Sequence, residues 1–220
     1  MNNMRTIRVT GKGQIKVKPD MTRLYITLEG INKEYADTLE QSSVDTAELR
    51  KIMGKFGFEK TDLKTIRFDV DPEYSWYERK NKQVRKLDGY KFIHRLKVEF
   101  ESDNKRLGKI VYALAHSPVN PEFSISYTVK DPEKSKNKLL GEAVKDAMAK
   151  GKVLTEASGV ILKDIQNIDY SWGTIDLEVR PANDRFFALE CCSSKRSYDL
   201  DIEPDDISVS DTVTVVWEIG

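Results

Sequence analysis

The amino-acid sequence predicts an α+β fold, and three observations carry that expectation. Several stretches place apolar residues at alternate positions, the period of a half-buried strand. Three others space them three and four apart, the period of a helix packed by one face. From Met21 to Val129 these stretches run strand, helix, strand, strand, helix, strand, the βαββαβ order of a ferredoxin-like unit.

Ile7, Val9, Gly11, Gly13, Ile15 and Val17 alternate and predict a first strand, which Lys18-Pro19-Asp20 ends. A second strand covers about 21–31, with Leu24, Ile26 and Leu28 on one face; the pair reads as a hairpin with a Pro-containing turn. From Lys33 to Phe56 the period becomes helical through Tyr35, Leu39, Leu49, Ile52, Met53 and Phe56. Ser42 and Thr46 fill the gap in that stripe, and Gly57 sits where helices stop. Residues 63–77 read as a strand with Ile66, Phe68, Val70, Pro72, Tyr74 and Trp76 on one face. Residues 78–86 read as a charged connection, and 89–101 as another long strand through Phe92, His94, Leu96, Val98 and Phe100.

Ser102-Asp103 offers an N-cap for a short helix through Leu107, Ile110, Val111, Leu114 and Ala115. Phe123, Ile125 and Tyr127 mark the next strand. Asp131-Pro132 opens a long helix, because Asp caps and Pro is tolerated at the first helical position. Leu139, Leu140, Ala143, Val144, Ala147, Met148 and Leu154 stripe it, and Gly159 ends it. A strand follows at about 164–172, then a stretch without steady period at 173–203, read as a long loop. Residues 207–219 close the chain as a strand holding Val209, Val213, Val215 and Trp217. The pieces outside the βαββαβ segment have apolar faces to bury. The expectation is one module: a ferredoxin-like lobe, 20–130, inserted in a second α+β lobe formed by the N-terminal strand, 1–19, and the C-terminal αββ segment, 131–220.

Lys plus Arg and Asp plus Glu each number 36 among the 220 residues, so the formal charge balances. A protein dominated by phosphate-backbone contacts would be basic overall, which argues against nucleic acid as the main partner while leaving a local basic patch open. No apolar run approaches the ~18 residues of a membrane span, and none of signal-peptide length follows Met1. The expectations are no membrane span and a cytoplasmic location. The two cysteines, Cys191 and Cys192, are neighbours, a placement that disfavours a structural disulfide.

Residues able to do chemistry are few. Gly11-Lys12-Gly13 lacks the third glycine and the following helix of a phosphate loop, so the glycines read as bulge or close-packing sites. His94 and His116 lack any ligand spacing such as His-x-x-x-His. Cys191 and Cys192 lie near Lys195 and Arg196, which would favour thiolates, yet read as reduced loop thiols. Asp199, Asp201, Glu203, Asp205, Asp206 and Asp211 form an acidic run without the calcium-loop pattern. No Gly-x-Ser-x-Gly motif occurs. No catalytic residue, no metal ligand and no cofactor are therefore expected, and the chain reads as non-enzymatic. An unrecognised hydrolase or metal enzyme is a third, minor reading.

The chain resembles the SIMPL-domain family, a bacterial group with some animal relatives. The resemblance rests on Ile7-Arg8-Val9-Thr10-Gly11-Lys12-Gly13, Val17-Lys18-Pro19-Asp20, Leu63-Lys64-Thr65, Gly89-Tyr90, Asp131-Pro132-Glu133-Lys134, Glu142-Ala143-Val144-Lys145-Asp146-Ala147 and Ile207-Ser208-Val209-Ser210. It implies an α+β fold, no established enzymatic activity, and a tendency to form homo-oligomers. Many relatives carry an export signal. The binding candidate is the segment 74–86, where Tyr74, Trp76 and Tyr77 precede Arg79, Lys80, Lys82, Arg85 and Lys86. Such a hairpin suits contact with another copy of the chain, as a scaffold or in stress protection. The same residues suit an anionic partner, nucleic acid or an acidic protein, by stacking and charge.

Overall fold

The computed structural model describes residues 5–79, 82–170, 175–180 and 202–220; of Arg79 and Lys82 it describes the backbone only. The fold is α+β. Its elements are β1 (Thr6–Val17), β2 (Met21–Asn32), α1 (Tyr35–Gly54), β3 (Lys64–Arg79), β4 (Lys82–Glu101), α2 (Asn104–Ala115), β5 (Glu122–Thr128), α3 (Pro132–Ser158), β6 (Leu162–Asp169), β7 (Glu178–Val179) and β8 (Ile207–Ile219). They form two compact units, one of residues 1–20, 128–179 and 205–220, the other of 21–127 and 180–204.

In the first unit β1, β8 and β6 form an antiparallel sheet in that order, and β1 pairs with β8 without a break from Thr6↔Glu218 to Val17↔Ile207. The helix α3 covers β1 and β8. Asp131 caps it by accepting from the Lys134 N–H at 2.9 Å, and Gly159 ends it at φ +66°. Ala143 and Ala147 of α3 pack with Val9, Val213, Val215 and Trp217. The approach is backbone to backbone. A Cβ on Gly11 would lie 2.1 Å from the carbonyl oxygen of Ala143 and 2.4 Å from the nitrogen of Ala147, and one on Gly13 would lie 2.2 Å from the Leu139 carbonyl oxygen. The Gly-Lys-Gly motif is thus the seat of a helix. Between the glycines, the Lys12 N–H donates to Asp146 Oδ2 at 2.7 Å, and Lys150 pairs with the same oxygen at 2.6 Å. These hydrogen bonds, Lys150 first, hold the Asp146 carboxyl below its ordinary range.

In the second unit the strand order is β3, β4, β2, β5. The β2–β4 ladder runs from Met21↔Glu101 to Asn32↔Tyr90 and sets Leu24, Ile26 and Leu28 opposite Val98, Leu96 and His94. α1 packs on β2 and β4. Leu49 and Met53 of α1 and Leu107, Ile110 and Leu114 of α2 are fully buried. Asp103 caps α2 by accepting from the N–H groups of Lys105 and Arg106.

The first two strands do not form the expected hairpin: β1 pairs with β8 and β2 with β4, in two different sheets. Three further details depart from the sequence reading. First, Tyr35 and Leu39, expected in the inner stripe of α1, are 49% and 38% exposed, while Thr38 is buried together with Ser42 and Thr46, which the stripe included. The hydroxyls accept that position because Thr38 and Thr46 donate to the helix's own carbonyls at Glu34 and Ser42, 2.9 and 2.7 Å away. Second, the alternation is broken at Ile66. Thr65 pairs with Leu96 and Arg67 with Arg95, so Ile66 is the extra residue of a bulge and Thr65 stands opposite Leu96. Third, the described part of 78–86 is strand rather than connection. A solvated ribbon has no buried face, so its residues need not alternate. Of the stretch read as a loop at 173–203, the described part includes the short strand β7.

Candidate functional site

β2 ends at Asn32, opposite Tyr90, but β3 and β4 continue. From Glu73↔Gly89 to Arg79↔Lys82 they pair, among the described residues, only with each other, as a two-stranded ribbon beyond the sheet. The junction requires glycine. A Cβ on Gly89 would lie 2.3 Å from the carbonyl oxygen of Asn32, and its φ is +155°. Here β4 carries one extra residue, Asp88, because Glu73 pairs with Gly89 and Tyr74 with Leu87. Asp88 Oδ1 accepts from the Ser75 hydroxyl at 2.9 Å, which pins the bulge.

The bulge sets which side chains meet. Tyr74 pairs with Leu87 and Trp76 with Arg85, so these four share one face. Tyr77 pairs with Val84 and Ser75 with Lys86 on the other. The structure thus separates Tyr77 from the two aromatic residues beside it in sequence. Trp76 is 64% exposed, Leu87 44%, Tyr77 43% and Tyr74 37%, a dense apolar display for a surface element. The Arg85 guanidinium carbon sits 3.4 Å from the centre of the Tyr74 ring, a cation–π contact of about 0.5–1 kcal/mol at an exposed site. Of the other candidate cations, Lys86 is exposed on the Tyr77 face. Lys80 lies outside the described residues, as do the side chains of Arg79 and Lys82. Leu87 and Val84 were not singled out by sequence. The signal was their two-residue spacing from Arg85 and Lys86, hidden by the parity change at Asp88.

The remaining chemical candidates have contacts of their own where they are described. His94 Nδ1 is 3.0 Å from Thr46 Oγ1, and Nε2 is 2.9 Å from Thr65 Oγ1. Thr46 gives its proton to the Ser42 carbonyl, so Nδ1 carries the imidazole proton and Nε2 accepts from Thr65. The edge-on Phe68 ring completes the enclosure at 5.1 Å between ring centres. His116 sits at the C-terminal end of α2, its Nδ1 2.9 Å from the Tyr112 carbonyl oxygen. Asp211 accepts from the Tyr170 hydroxyl and the Thr212 N–H. Cys191, Cys192, Asp199 and Asp201 lie outside the described residues. Among the described residues no group of three His, Cys, Asp or Glu side chains converges as a metal site would.

Burial, with the Arg50 charge adding to it, holds the His94 pKa below the ordinary 6.5. The unfolded chain therefore binds a proton at a higher pH than the folded one. The contribution of neutral His94 is fully present above about 6.5 and is lost as pH falls from there through the folded pKa. Urea midpoints should fall between pH 7.5 and 5.5, and a His94→Gln variant should lose that slope. Retention of the full slope in the variant would place its origin elsewhere. Carboxylates contribute lower: burial pushes Glu99 up, but hydrogen bonds from Lys97 and Arg23 outweigh it and hold the group below its usual range.

The geometry defines an α+β protein of two units with a projecting aromatic and cationic ribbon. The family described as SIMPL, protein of unknown function (DUF541), matches residues 7–217, and the chain belongs to it. The 26 kDa periplasmic immunogenic protein of Brucella abortus (strain S19) is 28% identical over 163 residues, 74% of this chain and 65% of that protein. Its Brucella melitensis counterpart is 27% identical over the same 74% and 65%. The chain thus spans less than two thirds of the Brucella proteins' length. The Edwardsiella ictaluri protein called uncharacterized protein YggE is 21% identical over 211 residues, 96% of this chain and 85% of that protein. No helix among the described residues is long and apolar enough to cross a membrane.

Proposed function

We propose that this SIMPL protein is a non-enzymatic, self-associating chain whose contact is the ribbon of 74–87, serving as a scaffold or in stress protection. One observation carries the reading: Tyr74, Trp76, Tyr77 and Leu87 stand exposed on two strands that no third strand among the described residues supports. A lone two-stranded ribbon is marginally stable in water. Tyr and Trp are enriched where protein surfaces meet, and a second copy would both support the ribbon and cover its aromatic side chains. Light scattering at tens of micromolar tests this. A multiple of the chain mass supports it, and a monomer sinks it.

A second reading has its own support in Arg85 and Lys86, with Arg79, Lys80 and Lys82 in the same sequence segment. On that reading the ribbon holds an anionic partner, and retention on single-stranded nucleic acid should fall steeply with salt. Cytoplasmic residence belongs to the proposal against the names of the two Brucella relatives, which call those proteins periplasmic. Fractionation of cells making the full-length gene product decides it.

A further inference from the structure

Away from the ribbon, the two partners of His94 differ in a way that matters chemically. Thr46 on α1 is buried; it accepts from Nδ1 at 3.0 Å and gives its own proton to the Ser42 carbonyl at 2.7 Å. Thr65 on β3 is exposed and donates to Nε2 at 2.9 Å. The difference follows from the packing. α1 packs on β2 and β4, and at the margin over β3 Ile66 and Phe68 are each 45% exposed. The imidazole is only 8% exposed, enclosed by Thr46 and the edge-on Phe68 ring. A hydroxyl at the surface is therefore bonded to a base beneath it. A hydroxyl within hydrogen-bond reach of a base, itself oriented by a third group, is the arrangement of an activated nucleophile. The tautomer is the one required, with the proton on Nδ1 and the Nε2 lone pair toward Thr65. The burial that holds this imidazole below the ordinary 6.5 also leaves it the free base at neutral pH. The bulge at Ile66 directly follows Thr65, a place where strands re-aim a side chain.

We propose that Thr65 is an acylation site that takes the acyl group of an acyl phosphate, with His94 as the base and Arg50 as the partner of the phosphate. Thr65 Oγ1 forms a bond to the acyl carbon, and its proton passes to His94 Nε2. The bond from that carbon to the phosphate oxygen breaks, the phosphate leaves with the electron pair, and the imidazolium returns the proton to it. A threonine ester and inorganic phosphate result, with nothing oxidised or reduced. Arg50 sets the class of donor. It follows Thr46 by four residues, so it lies on the same face of α1, and it is exposed. Its charge reaches the imidazole, and a guanidinium fork matches a phosphate. One acyl group is taken up per chain, so the step needs no turnover and stands beside the non-enzymatic role of the ribbon.

Incubation of the full chain with acetyl phosphate tests this, with the peptide spanning 61–67 followed by fragmentation mass spectrometry. Fragmentation separates an ester at Thr65 from an amide at Lys64. Thr61, exposed and four residues earlier, is the control within the same molecule. General-base assistance should make Thr65 acetylate about a hundredfold or more faster than Thr61. Equal rates at the two hydroxyls would overturn the proposal, and that comparison needs no variant to fold. His94→Gln, with its circular dichroism retained, keeps a hydrogen-bonding side chain without the base and should bring Thr65 down to the rate of Thr61. An unchanged rate in that variant would mean that the contact only holds β3 to α1. The neutral donor p-nitrophenyl acetate isolates the part of Arg50. Arg50→Gln should slow acetyl phosphate about tenfold relative to the neutral ester, the loss expected for one hydrogen bond to a charged group. The same response to both donors would overturn the acyl phosphate as the donor.

Discussion

Gly11→Ala should cost about 3 kcal/mol or more, at or above the upper end of the 1–3 kcal/mol usual for overpacking. The added methyl meets backbone atoms of α3 rather than a side chain that can turn away, the carbonyl oxygen of Ala143 at 2.1 Å and the nitrogen of Ala147 at 2.4 Å. The helix must lift from β1, and its lifting also loosens Val9 and Trp217 beneath it. Replacing glycine reduces unfolded-chain entropy and returns only about 0.4–1 kcal/mol. Gly13→Ala meets the Leu139 carbonyl oxygen one turn away at 2.2 Å, so the two substitutions act on one helix seat. Against a typical total of about 5–15 kcal/mol, the double variant should be largely unfolded. Gly141→Ala is the control. It lies on the exposed side of the same helix with nothing within 4 Å of an added Cβ, and should stabilise by about 0.5–1 kcal/mol. Urea midpoints of the three single variants measure this, and equal midpoints for Gly11→Ala and Gly141→Ala would refute the close seat.

The strands that bury one face were legible because burial writes itself as alternation. Leu24, Ile26 and Leu28, or Phe92, Leu96 and Val98, declare their face two residues at a time. The caps at Asp103 and Asp131 were legible because their hydrogen bonds are local. What failed was whatever depends on a neighbour. Ser42 and Thr46 were legible in the stripe of α1, but Thr38 is buried where Tyr35 and Leu39 are not, and nothing local says that a helix will bury a hydroxyl in place of those apolar side chains. The bulges at Ile66 and Asp88 shift the pairing without any mark in the alternation, so neither the break at Ile66 nor the place of Leu87 opposite Tyr74 shows in the sequence. Gly11 and Gly13 were legible as close-packing sites, but the helix that sits on them comes from more than a hundred residues away in sequence. The ribbon was legible in its chemistry and not in its extent, because a strand pair with no buried face has no period to read.

A Trp76→Ser/Tyr77→Ser chain should fall to monomer mass while unfolding at nearly the wild-type urea concentration. The two aromatic residues lie on opposite faces of the ribbon, so the pair of substitutions strips both faces whichever one is used. The folded monomer loses little, because Trp76 is 64% and Tyr77 43% exposed and surface substitutions usually shift stability by about 0.5 kcal/mol. Strand propensity adds at most about 1 kcal/mol. An interface loses far more. Truncating a central aromatic anchor typically costs about 2 kcal/mol or more, near thirtyfold in dissociation constant, and two anchors together move a micromolar contact beyond reach at tens of micromolar. Salt separates the apolar contact from the charged one. An oligomer held by aromatic burial should keep its mass as ionic strength rises, whereas one held by Arg85 and Lys86 against carboxylates should dissociate. Arg85→Ala should shift the mass only modestly, through the support its guanidinium gives the Tyr74 ring at 3.4 Å. Should the aromatic variant keep the wild-type mass while Arg85→Ala/Lys86→Ala loses it, charge and not burial makes the contact, and the anionic-partner reading of the ribbon takes first place.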